Sequence, residues 1–252
     1  MQILLTVAYD GTAYAGWQRQ NNAIAVQEKL EDALTAVLGR PIIARASSRT
    51  DAGVHALGQR ATFFVDDLRI PLDKLPGVIN GFLPHDIAVT AACAVPDCFN
   101  PRFDAVYKTY AYKIHNAPQR DPLMNRYSVH IPRALDVDAM NKAVPLFAGR
   151  HDFAAFMATG SSAKTTIREI YDLSLKSEPS GLLTLMVTGN GFLYNMVRII
   201  AGTMLYVGIG KLRPHDVTSI ILARDRTRAG KTMPPEGLTL KEVGYTKYSQ
   251  IE

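Results

Sequence analysis

The stretch Gln2-Ile3-Leu4-Leu5-Thr6-Val7-Ala8-Tyr9-Asp10-Gly11 is dominated by aliphatic and β-branched side chains and closes on an Asp-Gly turn signal, so it reads as a strand. Downstream, Val26, Leu30, Leu34, Val37 and Leu38 recur at helical spacing until Gly39 and Pro41 end the pattern. A strand and then a helix therefore open the chain. Residues 42–47, 59–65 and 87–95 read as further strands, with Pro71, Pro76 and Pro84 marking the connections. After Phe99-Asn100-Pro101-Arg102-Phe103 the pattern begins again. Residues 108–114 form an alternating strand, 137–147 a helix, 182–187 a strand, 194–207 a long helix and 216–223 a shorter one. Element order predicts two similar α/β halves, 1–104 and 105–252. Identity between them is too low to establish a repeat. No low-complexity linker divides them, so a shared sheet or broad interface is expected.

Bulk properties set the outer limits. The 252 residues, 47% of them apolar, suffice for one large domain or two modules. The 28 Lys and Arg outnumber the 23 Asp and Glu, giving +5 and a sequence pI near 9.2. That balance favours a polyanionic partner without deciding it, since many basic proteins bind nothing acidic. Cys93 and Cys98 lack CxxC spacing and read as free thiols in a reducing compartment. The N-terminus reads as a first strand rather than a leader, and the apolar stretch 199–210 is too short to cross a bilayer. A cytoplasmic protein without membrane association is expected. No GxGxxG or Walker pattern and no HExxH spacing occurs, so neither a nucleotide cofactor nor a metal is expected.

Chemistry concentrates in Ser47-Ser48-Arg49-Thr50-Asp51-Ala52-Gly53-Val54-His55-Ala56, a polar stretch between two expected strands. Arg49 favours the anionic form of Asp51, and an ionised carboxylate is what attack or charge stabilisation at an electrophilic carbon requires. Gly53 permits a turn or a close ligand approach. Local chemistry alone favours an Asx turn with a surface ion pair. His55 has no orienting partner at close spacing and reads as structural.

The run R-T-D-A-G-V-H-A resembles the signature of the tRNA pseudouridine synthase A family. The resemblance extends to Tyr9-Asp10-Gly11-Thr12 with Tyr14, Gly16-Trp17-Gln18-Arg19-Gln20, Val26-Gln27-Glu28, Asn100-Pro101-Arg102-Phe103 and Tyr110-Ala111-Tyr112. It continues through Asn195-Met196-Val197-Arg198 with Gly202, Asp225-Arg226-Thr227 and Pro235-Glu236-Gly237-Leu238. The resemblance implies an α+β fold of two ferredoxin-like (RRM-like) halves sharing an extended antiparallel sheet with a central RNA-binding cleft. It further implies a cofactor-free homodimer that converts uridine to pseudouridine at positions 38, 39 and 40 of the tRNA anticodon stem-loop. In one respect the chain departs from the family: Ser48 stands where Gly usually precedes the Arg-Thr-Asp. If that position needs a positive φ, Ser is costly there.

By the same resemblance Asp51 is the catalytic aspartate, facing Tyr110 and Arg198 of the second half. Arg49 helps extrude the target nucleotide and takes its place, Tyr110 is catalytic, stacking on the flipped uracil and offering its hydroxyl as a base at C5, Arg198 pairs with Asp51, and Leu238 packs on the base. Each has a plainer alternative. Tyr110 shares a strand face with Tyr112 and could be core. Arg198, set in an apolar helix, needs a carboxylate if buried and otherwise snorkels to solvent. Leu238 could be core. Arg224, Arg226, Arg228 and Lys231 form the densest run of cations and the best candidate for phosphate contact, although a helix cap looks similar. A non-catalytic RNA-binding or folding-assistance module is the rival from another class, and a small-molecule hydrolase or lyase the third reading.

Overall fold

The computed structural model describes residues 1–246. The chain divides into two compact units, Met1–Val106 with the segment from Thr239, and Tyr107–Leu238. The sequence pattern places a single cut between 104 and 105; the observed first unit is instead built from both ends of the chain.

In the first unit, β1 (Gln2–Tyr9) lies between β4 (Ile87–Val95) and β3 (His55–Phe64), antiparallel to both. Residues 3–5 of β1 are buried on both faces, which is why they read as a continuous apolar run. Helix α1 (Val26–Leu38) buries Val26, Leu30, Ala33 and Leu34 and ends where Gly39 turns left-handed at φ 69°. A second short helix, α2 (Leu75–Asn80), was not expected. Pro76 sits in its first turn, where the missing N–H has no intrahelical partner to lose.

The strand expected over 42–47 shrinks to β2 (Arg45–Ala46), paired antiparallel with β3. Side chains of α1 intercept its backbone. Gln27 Nε2 donates to Ala44 O at 2.9 Å, and Ala44 N donates to Glu31 Oε1 at 3.0 Å. Glu31 also accepts from Gln27 Nε2 at 2.9 Å and pairs with Arg19 Nε at 2.8 Å. Ala44 thus has no need of a ladder.

The second unit orders its strands β5 (Tyr107–Asn116), β9 (Leu182–Gly189), β8 (Ile167–Ser177) and β7 (Gly149–Asp152), all antiparallel neighbours, with β6 (Val129–Ile131) parallel on β5. The helix expected over 137–147 is α3 (Val137–Ala143) followed by a 3-10 turn at Val144–Phe147, because Pro145 cannot donate the next helical bond. Helix α4 (Met196–Gly208) starts two residues late, after Asn195 at φ 61°, and α5 (Asp216–Ala223) keeps its expected bounds. Close backbone approach anchors α4. A Cβ on Gly202 would meet Lys231 O at 1.9 Å, and Gly230 N donates to Thr203 Oγ1 at 2.8 Å.

The last strand, β10 (Leu238–Gly244), runs parallel to β3, with Thr239 opposite His55 and Leu240 opposite Ala56. Gly58 makes this possible, since a Cβ there would meet Lys241 O at 2.5 Å. The expected all-antiparallel arrangement is thereby corrected. The β10–β3 and β5–β6 pairs are parallel, and the fold is mixed α/β. A strand arriving from distant sequence is free of the hairpin constraint that forces antiparallel pairing.

Candidate active site

The residues from Ser47 to Val54 link β2 to β3 and differ in burial. Ser47, Ser48, Thr50 and Val54 are buried, Arg49 is exposed and Asp51 half-buried. The buried members are tied to the strand and loop that open the chain. Tyr9 Oη lies 2.8 Å from Thr50 Oγ1, Trp17 N donates to Thr50 O at 3.1 Å, and Gly53 N donates to Tyr14 O at 3.2 Å. Gln59 Nε2 donates to Ser48 O at 2.8 Å. Two glycines let residues 11–17 lie flat on the loop: a Cβ on Gly11 would meet Val54 O at 2.0 Å, and one on Gly16 (φ 92°) would meet Thr50 O at 2.5 Å. Asp51 therefore projects from backbone held at its preceding residue and at Gly53, the geometry a reactive carboxylate needs.

Ser48 is not in the positive-φ region, so the feared strain does not arise there. Its cost is different, a buried hydroxyl with no hydrogen-bond partner among the described residues. His55 is buried, and its Nδ1 accepts from Gly11 N at 3.1 Å with Asp10 Oδ1 at 3.2 Å. Its place is structural. Tyr14 donates to Asp86 Oδ1 at 2.6 Å; burial first, then the Asp86 bond and charge, push its phenol well above the ordinary range.

Within the second unit, Tyr110 is 8% exposed, its ring meeting the edge of Phe192 at 5.3 Å. Arg198 on α4 donates through Nε to Met233 O at 2.7 Å and through Nη1 to Asn195 Oδ1 at 2.5 Å. The left-handed turn at Asn195 sets up the second of these bonds. Tyr112, fully buried, donates to Pro234 O at 2.7 Å. Burial, then the Glu236 carboxylate, raise its phenol, and Arg198 partly opposes them. Gly237 lies against the Tyr112 ring, where a Cβ would come within 2.7 Å of Cζ, and this contact delivers the buried Leu238 into β10. The unit thus gathers Tyr112, Arg198, Met233 and Glu236. Sequence reading singled out Arg198 there and missed the rest, because their meeting depends on contacts between segments more than thirty residues apart.

The cation run divides on folding. Arg224 pairs with Asp152 at 3.1 Å, and Arg226 turns inward to Gly230 O and Thr232 Oγ1. Arg228 and Lys231 remain exposed. An open hollow of about 760 Å³ in this unit is lined by Arg120, Asn125, Ser128 and His130, together with Glu236 of that cluster.

The profile of the tRNA pseudouridine synthase family matches residues 5–104 and 143–246. A tRNA pseudouridine synthase A of Ruminiclostridium cellulolyticum is 47% identical over 244 residues, covering 97% of this chain and 99% of its own. Proteins of the same name from Caldicellulosiruptor bescii and Geotalea uraniireducens are 47% and 46% identical, covering 96% and 97% of this chain and 99% of each of theirs. The chain belongs to the tRNA pseudouridine synthase family. Arg49, Asp51, Arg198 and Leu238 lie within the stretches matched to that family, whereas Tyr110 falls between them.

Proposed function

We propose that this chain is an isomerase that converts uridine to pseudouridine in tRNA, at positions 38, 39 and 40 of the anticodon stem-loop. The observation that carries the reading is the Arg49-Thr50-Asp51 loop, braced at Thr50 and Gly53 by main-chain bonds, in a chain 47% identical over nearly its whole length to a tRNA pseudouridine synthase A.

In this reading the target nucleotide leaves its stack and Arg49 takes its place, offsetting part of an unstacking cost of a few kcal/mol. Asp51 acts as an anion beside the nucleoside, with Arg198 keeping it ionised. Tyr110 stacks on the uracil and Leu238 packs against it, a contact of the kind worth roughly 1–3 kcal/mol per base. The N1–C1′ bond breaks, the uracil turns, C5 bonds to C1′, C5 loses its proton and N1 gains one. The reaction is an isomerisation and consumes no cofactor.

Each unit is read as a ferredoxin-like half framing a central RNA-binding cleft. The antiparallel order β4, β1, β3, β2 with helices after β1 and β3 supports this for the first. Recognition of several neighbouring sites is by overall RNA shape rather than one base sequence. The enzyme is further read as a cytoplasmic homodimer.

The test is tritium release from C5-labelled uridine in unmodified tRNA, with wild type and Asp51→Asn. Release by wild type and its loss in Asp51→Asn, by a factor on the order of 10³ or more, is expected. Equal release from both, or none from wild type on several tRNAs, defeats the reading.

A further inference from the structure

Phe103 is 77% exposed, on a turn whose backbone is firmly held. Single exposed apolar residues are ordinary when they sit on loose or featureless surface. This one stands on a turn fixed from within and from below. Asn100 Oδ1 accepts from the backbone N–H of Arg102 at 3.0 Å and of Phe103 at 3.2 Å, while Asn100 N donates to Asp104 Oδ2 at 2.8 Å. Beneath the turn, Gln2 Nε2 donates to Phe99 O and Tyr245 Oη to Pro101 O, each at 3.0 Å. The Arg102 guanidinium carbon lies 5.5 Å from the centre of the Phe103 ring. No carboxylate among the described residues pairs with Arg102.

A guanidinium lying over one face of an exposed ring, on a rigid turn, matches one nucleotide: the base stacks on the other face of the ring and its phosphate meets the cation. Rigidity matters because binding then orders little that was free before. The +5 net charge agrees with a polyanionic occupant. We propose that Arg102 and Phe103 form an additional RNA contact, which stacks one unpaired base of the substrate tRNA and holds its phosphate. This rests on the reading that the substrate is tRNA, and adds to that reading a base other than the target uridine.

The experiment measures the equilibrium Kd of the full chain for an unmodified tRNA transcript at several salt concentrations, with tritium release assayed in parallel. Phe103→Ala is expected to weaken binding about tenfold, and Phe103→Trp to restore it. Arg102→Gln is expected to weaken binding and to lower the slope of log K against log salt by about one. All three variants should keep the wild-type unfolding midpoint, because the side chains they change are exposed. If wild type releases tritium while Phe103→Ala binds as tightly as wild type, the contact is overturned and the isomerase reading stands. If Phe103→Ala instead converts the protein to a smaller particle in sedimentation, the ring belongs to a contact between copies and the proposal is equally overturned. Wild type that binds tRNA with this Phe103 dependence but releases no tritium supports the contact and removes the isomerase reading. Wild type that binds no tRNA overturns both.

Discussion

Gly16 and Gly39 separate two reasons for using glycine. Both have positive φ, 92° and 69°, but a Cβ on Gly39 would meet nothing within 4 Å, whereas one on Gly16 would press on Thr50 O at 2.5 Å. Gly39→Ala should therefore cost only the left-handed backbone, about 1 kcal/mol. Gly16→Ala must also push the loop that carries Asp51, and is expected to cost on the order of 3 kcal/mol. Urea unfolding of the two variants measures the difference. Tritium release should fall in Gly16→Ala and stay near wild type in Gly39→Ala, and equal effects would mean that the contact with Thr50 is immaterial.

At the scale of elements, Glu31 substitutes for a missing strand. Its carboxylate accepts from Ala44 N and Gln27 Nε2 and pairs with Arg19. Glu31→Ala strips a buried backbone N–H of its acceptor, and a loss of about 3 kcal/mol is expected. Arg19→Gln, removing a half-exposed partner, should cost under about 1 kcal/mol. Equal losses in urea melts would contradict this division. The same residues explain what could be read beforehand. β1 and β4 were legible as apolar runs bounded by turn residues, and α1 and α5 by their helical spacing. The strand over 42–47 was overestimated because its alternation is real but its hydrogen bonds go to Gln27 and Glu31. β8 escaped notice because a register shift between Ile170 and Asp172 puts buried Ile170 and Leu173 three apart, breaking period two. The site was legible where chemistry clusters locally, as in Arg49 to His55. It was hidden where distant backbone does the holding, as with Met233 for Arg198 or Gly16 for Thr50.

For the whole molecule, each unit buries a phenol that resists ionisation, Tyr14 in the first and Tyr112 in the second. A phenol whose folded pKa lies above its unfolded value of about 10 keeps its proton in the native state after the unfolded chain has released it. Its contribution is fully present below pH about 10 and is lost as pH rises beyond that. Stability to urea should thus be nearly level through neutral pH and fall steeply above pH about 10. Tyr112→Phe should flatten part of that fall while losing about 1 kcal/mol at neutral pH, with the bond to Pro234 O. An unchanged alkaline slope would show that Tyr112 is not what titrates.

Because β10 completes the sheet that begins with β1, the N-terminal half cannot finish folding on the ribosome as its residues emerge. The His55 end of β3 waits through synthesis of the entire second unit, a delay on the order of ten seconds, with the signature loop beside an open edge. The nascent polypeptide must therefore pass through a stage in which that edge is available to chaperones or to neighbouring chains, and only the arrival of β10 closes it.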